Sequence, residues 1–137
     1  MTPEVSEDTN RYGCPECWPS SDANAAWIAT GRLRCETEVS DSSHYHTRII
    51  VCDACSQQFL KAFYEEVDFE DGDDPQYLVV APITPAEADT LLFRDGGAGD
   101  WLAVGKNRRV VRKDCPKGDP DGVISWGNGY QLKPDDD

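Results

Sequence analysis

Two C-x-x-C pairs, Cys14-Pro15-Glu16-Cys17 and Cys52-Asp53-Ala54-Cys55, constrain this chain more than any other feature. Two residues between thiols make a tight turn whose backbone N–H groups point at sulfur. One such turn grips one side of a tetrahedral metal ion, and two complete the shell. Four thiolates suit zinc, at Zn–S distances of about 2.3 Å. The pairs are separated by 34 residues, against the roughly 15–20 common between such pairs, so the spacing implies an inserted segment. A closed shell of four thiolates leaves no position for water or substrate, which makes one structural zinc per chain the expectation, held by Cys14, Cys17, Cys52 and Cys55. The contribution of such a metal is to folding.

The rival use of six cysteines is a disulfide framework, which belongs to secreted domains. The N-terminal residues carry neither a basic start nor an apolar stretch, so the chain reads as cytoplasmic and its thiols as reduced. No apolar run approaches the ~18 residues of a spanning helix. At 137 residues, 39% hydrophobic and 28% charged, the composition is that of one globular domain. The balance of 26 acidic against 13 basic residues, a net charge of −13, repels nucleic acid on average and attracts basic partners.

Residues 1–12 read as a polar arm, 13–132 as a single domain and 133–137 as an acidic tail. Within the domain, 13–70 bears the metal and 75–132 is an α+β part. Residues 20–26 are small and polar, a loop or one helical turn. Residues 32–39 alternate as a half-buried strand does, and 45–51 is a β-branched strand that runs into the second cysteine pair. Beyond Cys55, Phe59, Phe63, Val67 and Phe69 share one face of a strand, while Phe59, Leu60, Phe63 and Val67 equally make a helical stripe. A strand gives a zinc ribbon with its knuckle at a hairpin tip; a helix gives a treble clef. The aromatic content favours the strand. Residues 76–84 form a near-continuous apolar strand of central type, although Pro82 confines that end to an edge or bulge. Thr84, Pro85 and Glu87 spell a capping box for one short helix to about Phe93. Strands near 101–104, 108–112 and 123–126 complete a small, mainly antiparallel α+β domain.

At the four paired cysteines the sequence resembles the zinc-ribbon and rubredoxin-like double-knuckle families. The resemblance covers the two motifs and their strand context, and it implies a type of metal site. Those families usually carry glycine just after the second cysteine, where the turn needs a positive φ; Trp18 and Ser56 stand there in this chain.

The remaining candidates read as follows. His44 and His46 point one way on a strand, as exposed residues or as substitutes for a cysteine ligand. Cys35 and Cys115 are buried small hydrophobes in the plainest reading, with Cys115, among Arg112, Lys113 and Lys117, the better candidate for a reactive thiol. Residues 65–74 hold seven acidic groups in ten. An EF-hand register fails there, because a glycine at position six puts Val67 at the first ligand position. The run is a solvated turn or, through Asp68, Glu70, Asp71, Asp73 and Asp74, a docking surface for a basic protein such as a cationic toxin held by an immunity-type inhibitor. A basic strip, Lys106, Arg108, Arg109, Arg112 and Lys113, offers the alternative of a nucleic-acid-binding ribbon; its plainer use is pairing with the acidic run. An iron-loaded, electron-transferring knuckle protein is a third reading. No phosphate-binding glycine loop, H-E-x-x-H motif or nucleophile elbow is present, so the chain is not expected to be an enzyme.

Overall fold

A computed structural model describes residues 12–19, 21–42, 45–65, 70, 72, 74–93, 108–119 and 121–129. Its centre is a six-stranded sheet in the order of the sequence, β1 (Arg34–Ser42), β2 (Tyr45–Val51), β3 (Gln58–Glu65), β4 (Gln76–Ile83), β5 (Arg109–Cys115) and β6 (Val123–Asn128), every neighbour antiparallel. Helix α1 (Ala23–Gly31) precedes β1 and helix α2 (Pro85–Phe93) follows β4. The domain is therefore α+β and mainly antiparallel, with two helices where the sequence pattern announces one. The segment after Cys55 is a strand, and residues 52–57 form the tip of the β2–β3 hairpin. Of the two expected continuations after Cys55, strand or helix, the chain takes the strand. The acidic residues 68, 71 and 73, together with His44, Lys106 and the strand expected near 101–104, lie outside the described residues.

Period-two alternation sends each strand's side chains to two faces, and both are covered. On one face Ile49, Leu60, Ala62, Val79, Ala81, Ile83 and Val110 pack with Ala88 of α2. On the other, Ile50, Phe59, Val80 and Val111 pack with Ala26 of α1 and with Cys17, Trp18 and Cys52. β4 contributes to both clusters, which is why its sequence is apolar at nearly every position. Pro82 pairs with Phe59 on β3 but lies beyond the last β4–β5 pair, Val80 with Val111. Its missing N–H therefore interrupts no bond to β5, and the Pro82 carbonyl accepts from Arg108 Nη1 at 2.7 Å instead.

Helix α1 shows little of the period that marks an amphipathic helix, because alanine supplies helix propensity without an apolar stripe. Asp22 caps it, its Oδ1 accepting from the Asn24 N–H at 3.1 Å. The buried Thr30 hydroxyl donates to the Ala26 carbonyl at 2.9 Å, so its burial leaves no polar group unsatisfied. Arg32 closes the helix with its N–H on the Ala29 carbonyl, which delays the start of β1 to Arg34. β1 is an edge strand broken by two register shifts and carries Glu36 and Glu38, devices that keep an open edge from pairing with another chain.

Helix α2 begins with the reciprocal bonds of a capping box, the Thr84 N–H to Glu87 Oε1 at 2.9 Å and the Glu87 N–H to Thr84 Oγ1 at 3.1 Å. Glu87 also takes a bidentate pair from Arg108, at 2.8 and 3.0 Å, and the Arg108 guanidinium lies 4.9 Å from the Tyr12 ring centre. One arginine thus joins the helix start, the end of β4 and the chain ahead of the first knuckle. Both partners are mostly buried, with side-chain exposures of 14% and 24%. Arg108→Met leaves the Glu87 carboxylate and the Pro82 carbonyl without this donor, and should cost about 2–3 kcal/mol. A fall in the urea midpoint at unchanged slope is the expected result.

Candidate metal centre

The four paired cysteines meet on the face of the sheet that α1 covers. Their sulfurs all lie within 4.8 Å of one another. Cys14 Sγ is 3.8 Å from Cys17 Sγ and 4.0 Å from Cys52 Sγ, and Cys17 Sγ is 3.8 Å from Cys55 Sγ. A tetrahedron with metal–sulfur bonds of about 2.3 Å has edges of about 3.8 Å, so this donor set fits a tetrahedral ion. The same spacing is nearly twice a disulfide bond of about 2.05 Å, and all six cysteines are free thiols.

Each knuckle is a hydrogen-bonded turn. In the first, the Cys17 and Trp18 N–H groups donate to the Cys14 carbonyl at 3.1 and 2.8 Å, and the Cys14 N–H reaches Cys17 Sγ at 3.3 Å. In the second, the Cys52 N–H donates to the Gln57 carbonyl and the Ser56 N–H to the Cys52 carbonyl, at 2.9 and 2.7 Å. The positive φ that such turns need is placed differently in the two. In the second knuckle it falls on Ser56, at 70°, where the ribbon families carry glycine. In the first it falls on Gly13, at 72°, one residue ahead of the cysteines. A Cβ on Gly13 would sit 2.6 Å from Trp18 Cβ and 2.9 Å from Cys17 Sγ, so only glycine fits there.

Relieved of the positive φ, position 18 is free to carry a large side chain. Trp18 is 4% exposed, packs on Phe59 at 5.2 Å between ring centres and meets Trp126 edge-on at 5.5 Å. It anchors the first knuckle to the sheet and walls the sulfurs from water on that side. Gln57 joins the two knuckles. Its Oε1 accepts from the Gly13 N–H at 2.9 Å, and its Nε2 donates to the Ile83 carbonyl at 2.8 Å. Gly13 stands beside Cys14 in the sequence and could have been noticed; Gln57, Phe59 and Trp126 carry no local signal of a role at the metal.

The thiols are unlike one another. Cys17 and Cys52 are buried, Cys14 is half-buried and Cys55 is exposed. Backbone N–H groups of Cys17 and Glu16 aimed at Cys14 hold its pKa below the ordinary thiol value. Burial pushes Cys17 well above it and raises Cys55 as well. A metal ion replaces these protons when it binds, so its affinity falls as pH falls. An exposed ion pair, Arg34 with Asp53 at 2.9 Å, ties the second knuckle to β1 and contributes little to stability.

The other candidate residues are dispersed. His46 lies at the far end of β2 from the knuckle, paired with Phe63. Cys35 is exposed on β1 and Cys115 is buried at the end of β5. Of the basic strip, Arg108 pairs with Glu87 and the buried Arg112 with Asp114 at 2.9 Å, so their described ion-pair partners are outside the acidic run. Arg112 faces Val79 and Ser125, whereas Arg109 stacks over Trp126 at 4.3 Å on the opposite face. Glu70 and Asp74 belong to the β3–β4 connection, at the end of the sheet away from the thiols.

Fold and site together define a small antiparallel α+β domain with a double-knuckle tetrathiol centre. No protein-family model, no curated protein and no solved structure matches this chain. The likeness to zinc ribbons therefore rests on the two knuckles and the hairpin that presents one of them.

Two substitutions separate ligand geometry from its support. Gln57→Ala keeps all four thiols and should weaken metal binding about 10- to 100-fold, the usual effect of losing an orienting partner; competition with a chromogenic chelator reads it directly. Ser56→Gly relieves a non-glycine residue at positive φ and should stabilise the metal-loaded protein by about 1 kcal/mol, net of the added backbone entropy, measured by thermal or urea unfolding.

Proposed function

We propose that this chain is a zinc-stabilised binding module whose acidic surface docks a basic protein. The observation that carries the reading is the closed four-thiolate donor set in a chain of net charge −13. Cys14, Cys17, Cys52 and Cys55 would hold one zinc ion per chain. Four thiolates fill its shell, so its work is to lock two distant chain segments together rather than to activate water or substrate.

Among the described residues the most deeply placed arginines, Arg108 and Arg112, are matched by Glu87 and Asp114. Such pairs cancel within the molecule and leave the acidic excess for the surface. Glu16, Glu36, Glu38, Glu70, Asp89 and Asp121 are exposed. Glu65 ends β3, an eight-residue strand, about 25 Å from the second knuckle by the rise of a strand, and Glu70 and Asp74 belong to the connection that follows it. A partner docked there would not touch the metal. Its complementary charge would speed association and make it salt-sensitive. An inhibitor that masks a cationic toxin is one concrete form of such a module.

The test uses the full chain as bait in a native pull-down at low salt, beside a version with Asp68, Glu70, Asp71, Asp73 and Asp74 changed to Asn or Gln. A basic protein retained by the parent, lost from the neutralised version and released by salt is the expected result. Retention unaffected by neutralisation overturns the docking surface. Metal analysis of the same preparation should find one zinc, and chelation should free four thiols beyond the exposed Cys35. Iron in its place would turn the reading to electron transfer.

A further inference from the structure

A cleft of about 220 Å³ opens on the sheet between His46 and Arg48 of β2, Lys61 and Phe63 of β3 and Leu78 of β4. It lies on the same face as the thiol centre, further along the β2–β3 hairpin, and uses none of the cysteines. Register sets its chemistry. Arg48 stands directly opposite Lys61, and His46 directly opposite Phe63, which in turn neighbours Leu78. Cations directly across a strand pair repel each other, and this pair occurs in a chain with twice as many acids as bases.

The two cations are incompletely neutralised. Arg48 has Glu38 at 3.6 Å, an exposed and loose pair. Among the described residues no carboxylate pairs with Lys61; its amine sits 5.6 Å from the centre of the Trp27 ring. Burial, and secondarily the charge of Arg48, lowers its pKa from the ordinary lysine value. Two residues along the strands from the cations, Phe63 and Leu78 form the apolar end of the cleft, with the His46 ring 5.7 Å from that of Phe63.

We propose that this cleft binds a small organic phosphate monoester, its phosphate between Arg48 and Lys61 and its apolar body on Phe63 and Leu78. A phosphate monoester carries about −1.5 to −2 at neutral pH and so answers both cations, where a carboxylate answers one. An apolar cavity of about 150 Å³ holds a benzene ring, so this cleft has room for one ring with its phosphate at the rim. The large negative charge of the whole chain disfavours a polyanion on the same surface, which points to a small ligand in place of a nucleic acid.

The probe is phenyl phosphate, titrated into the ¹⁵N-labelled full chain, with inorganic phosphate and benzoate as comparisons. Saturable shifts at the His46, Lys61 and Phe63 amides, with a Kd below about 1 mM, are expected. Lys61→Met and Arg48→Met should each weaken binding at least tenfold. Lys61→Met keeps an unbranched apolar stem and removes both the cross-strand repulsion and the amine's contact with Trp27, so its melting temperature should stay close to the parent's. Arg48→Met tests the same phosphate seat from the facing strand. Absence of saturable shifts at these amides, or unchanged affinity in a folded variant, overturns the site. Equal affinity for inorganic phosphate overturns the ring seat, and equal affinity for benzoate overturns the two-cation argument.

Discussion

Bringing four sulfurs within 4.8 Å of one another, three of the pairs at 3.8–4.0 Å, from two chain segments 38 residues apart is the constraint around which the rest of this domain is arranged. The second knuckle is the tip of the β2–β3 hairpin and needs only a tight turn. The first has no strand of its own, so packing must hold it against the sheet. Trp18 does this by wedging between Phe59 and Trp126, and the residues between Trp18 and β1 are used to cross the same face as helix α1. A tryptophan next to Cys17 is compatible with the turn because the left-handed conformation has moved to Gly13. The metal centre and one of the two hydrophobic clusters are thus the same piece of structure, Cys17 and Cys52 packing with Trp18, Phe59 and Val111. Thiol loss and core loss are coupled here in a way they would not be in an isolated finger.

The opposite face is closed by different means. Helix α2 packs Ala88 against the sheet, and polar contacts at its first turn add to that attachment. Thr84, Glu87 and Arg108 supply them, and Arg108 reaches on to the Pro82 carbonyl. A buried ion pair is a modest source of net stability, yet removing one partner is costly because the other is left buried and unpaired. This one fixes where α2 starts relative to the ends of two strands.

The parts of the fold legible in the sequence are those with a short-range cause. The β-branched run 45–51, the apolar run of β4 and the Thr84–Glu87 capping box are local patterns, and each appears where its pattern lies. The four metal-site cysteines were legible for the same reason, since a C-x-x-C turn needs no distant partner to declare itself. Around 20–26 the sequence announces a loop or one helical turn and not the full length of α1, because alanines give propensity without periodicity, and the strand after Cys55 is equally open to a helical reading because short apolar runs satisfy both periods. Gln57 could not be found at all. Its importance comes from Gly13 on one side and Ile83 on the other, and nothing in the neighbouring residues encodes that meeting.

The same reasoning sorts the basic residues, which the sequence presents as one strip at 106–117 and the fold divides. Alternation along β5 sends Arg112 to the α2 face, where Asp114 two residues on lies on the same side and pairs with it. Arg109 goes to the other face and stacks on Trp126. Neighbours in sequence are therefore separated by a sheet's thickness, while Arg48 and Lys61, thirteen residues apart, are set directly opposite each other by the hairpin. A cation beside its own carboxylate is explained by folding alone. Arg48 and Lys61 are matched more weakly, Arg48 by the exposed Glu38 at 3.6 Å and Lys61 by the Trp27 ring, and their facing charges still repel across the strand pair. The phosphate proposed between them would offset the repulsion that Glu38 and Trp27 leave in place.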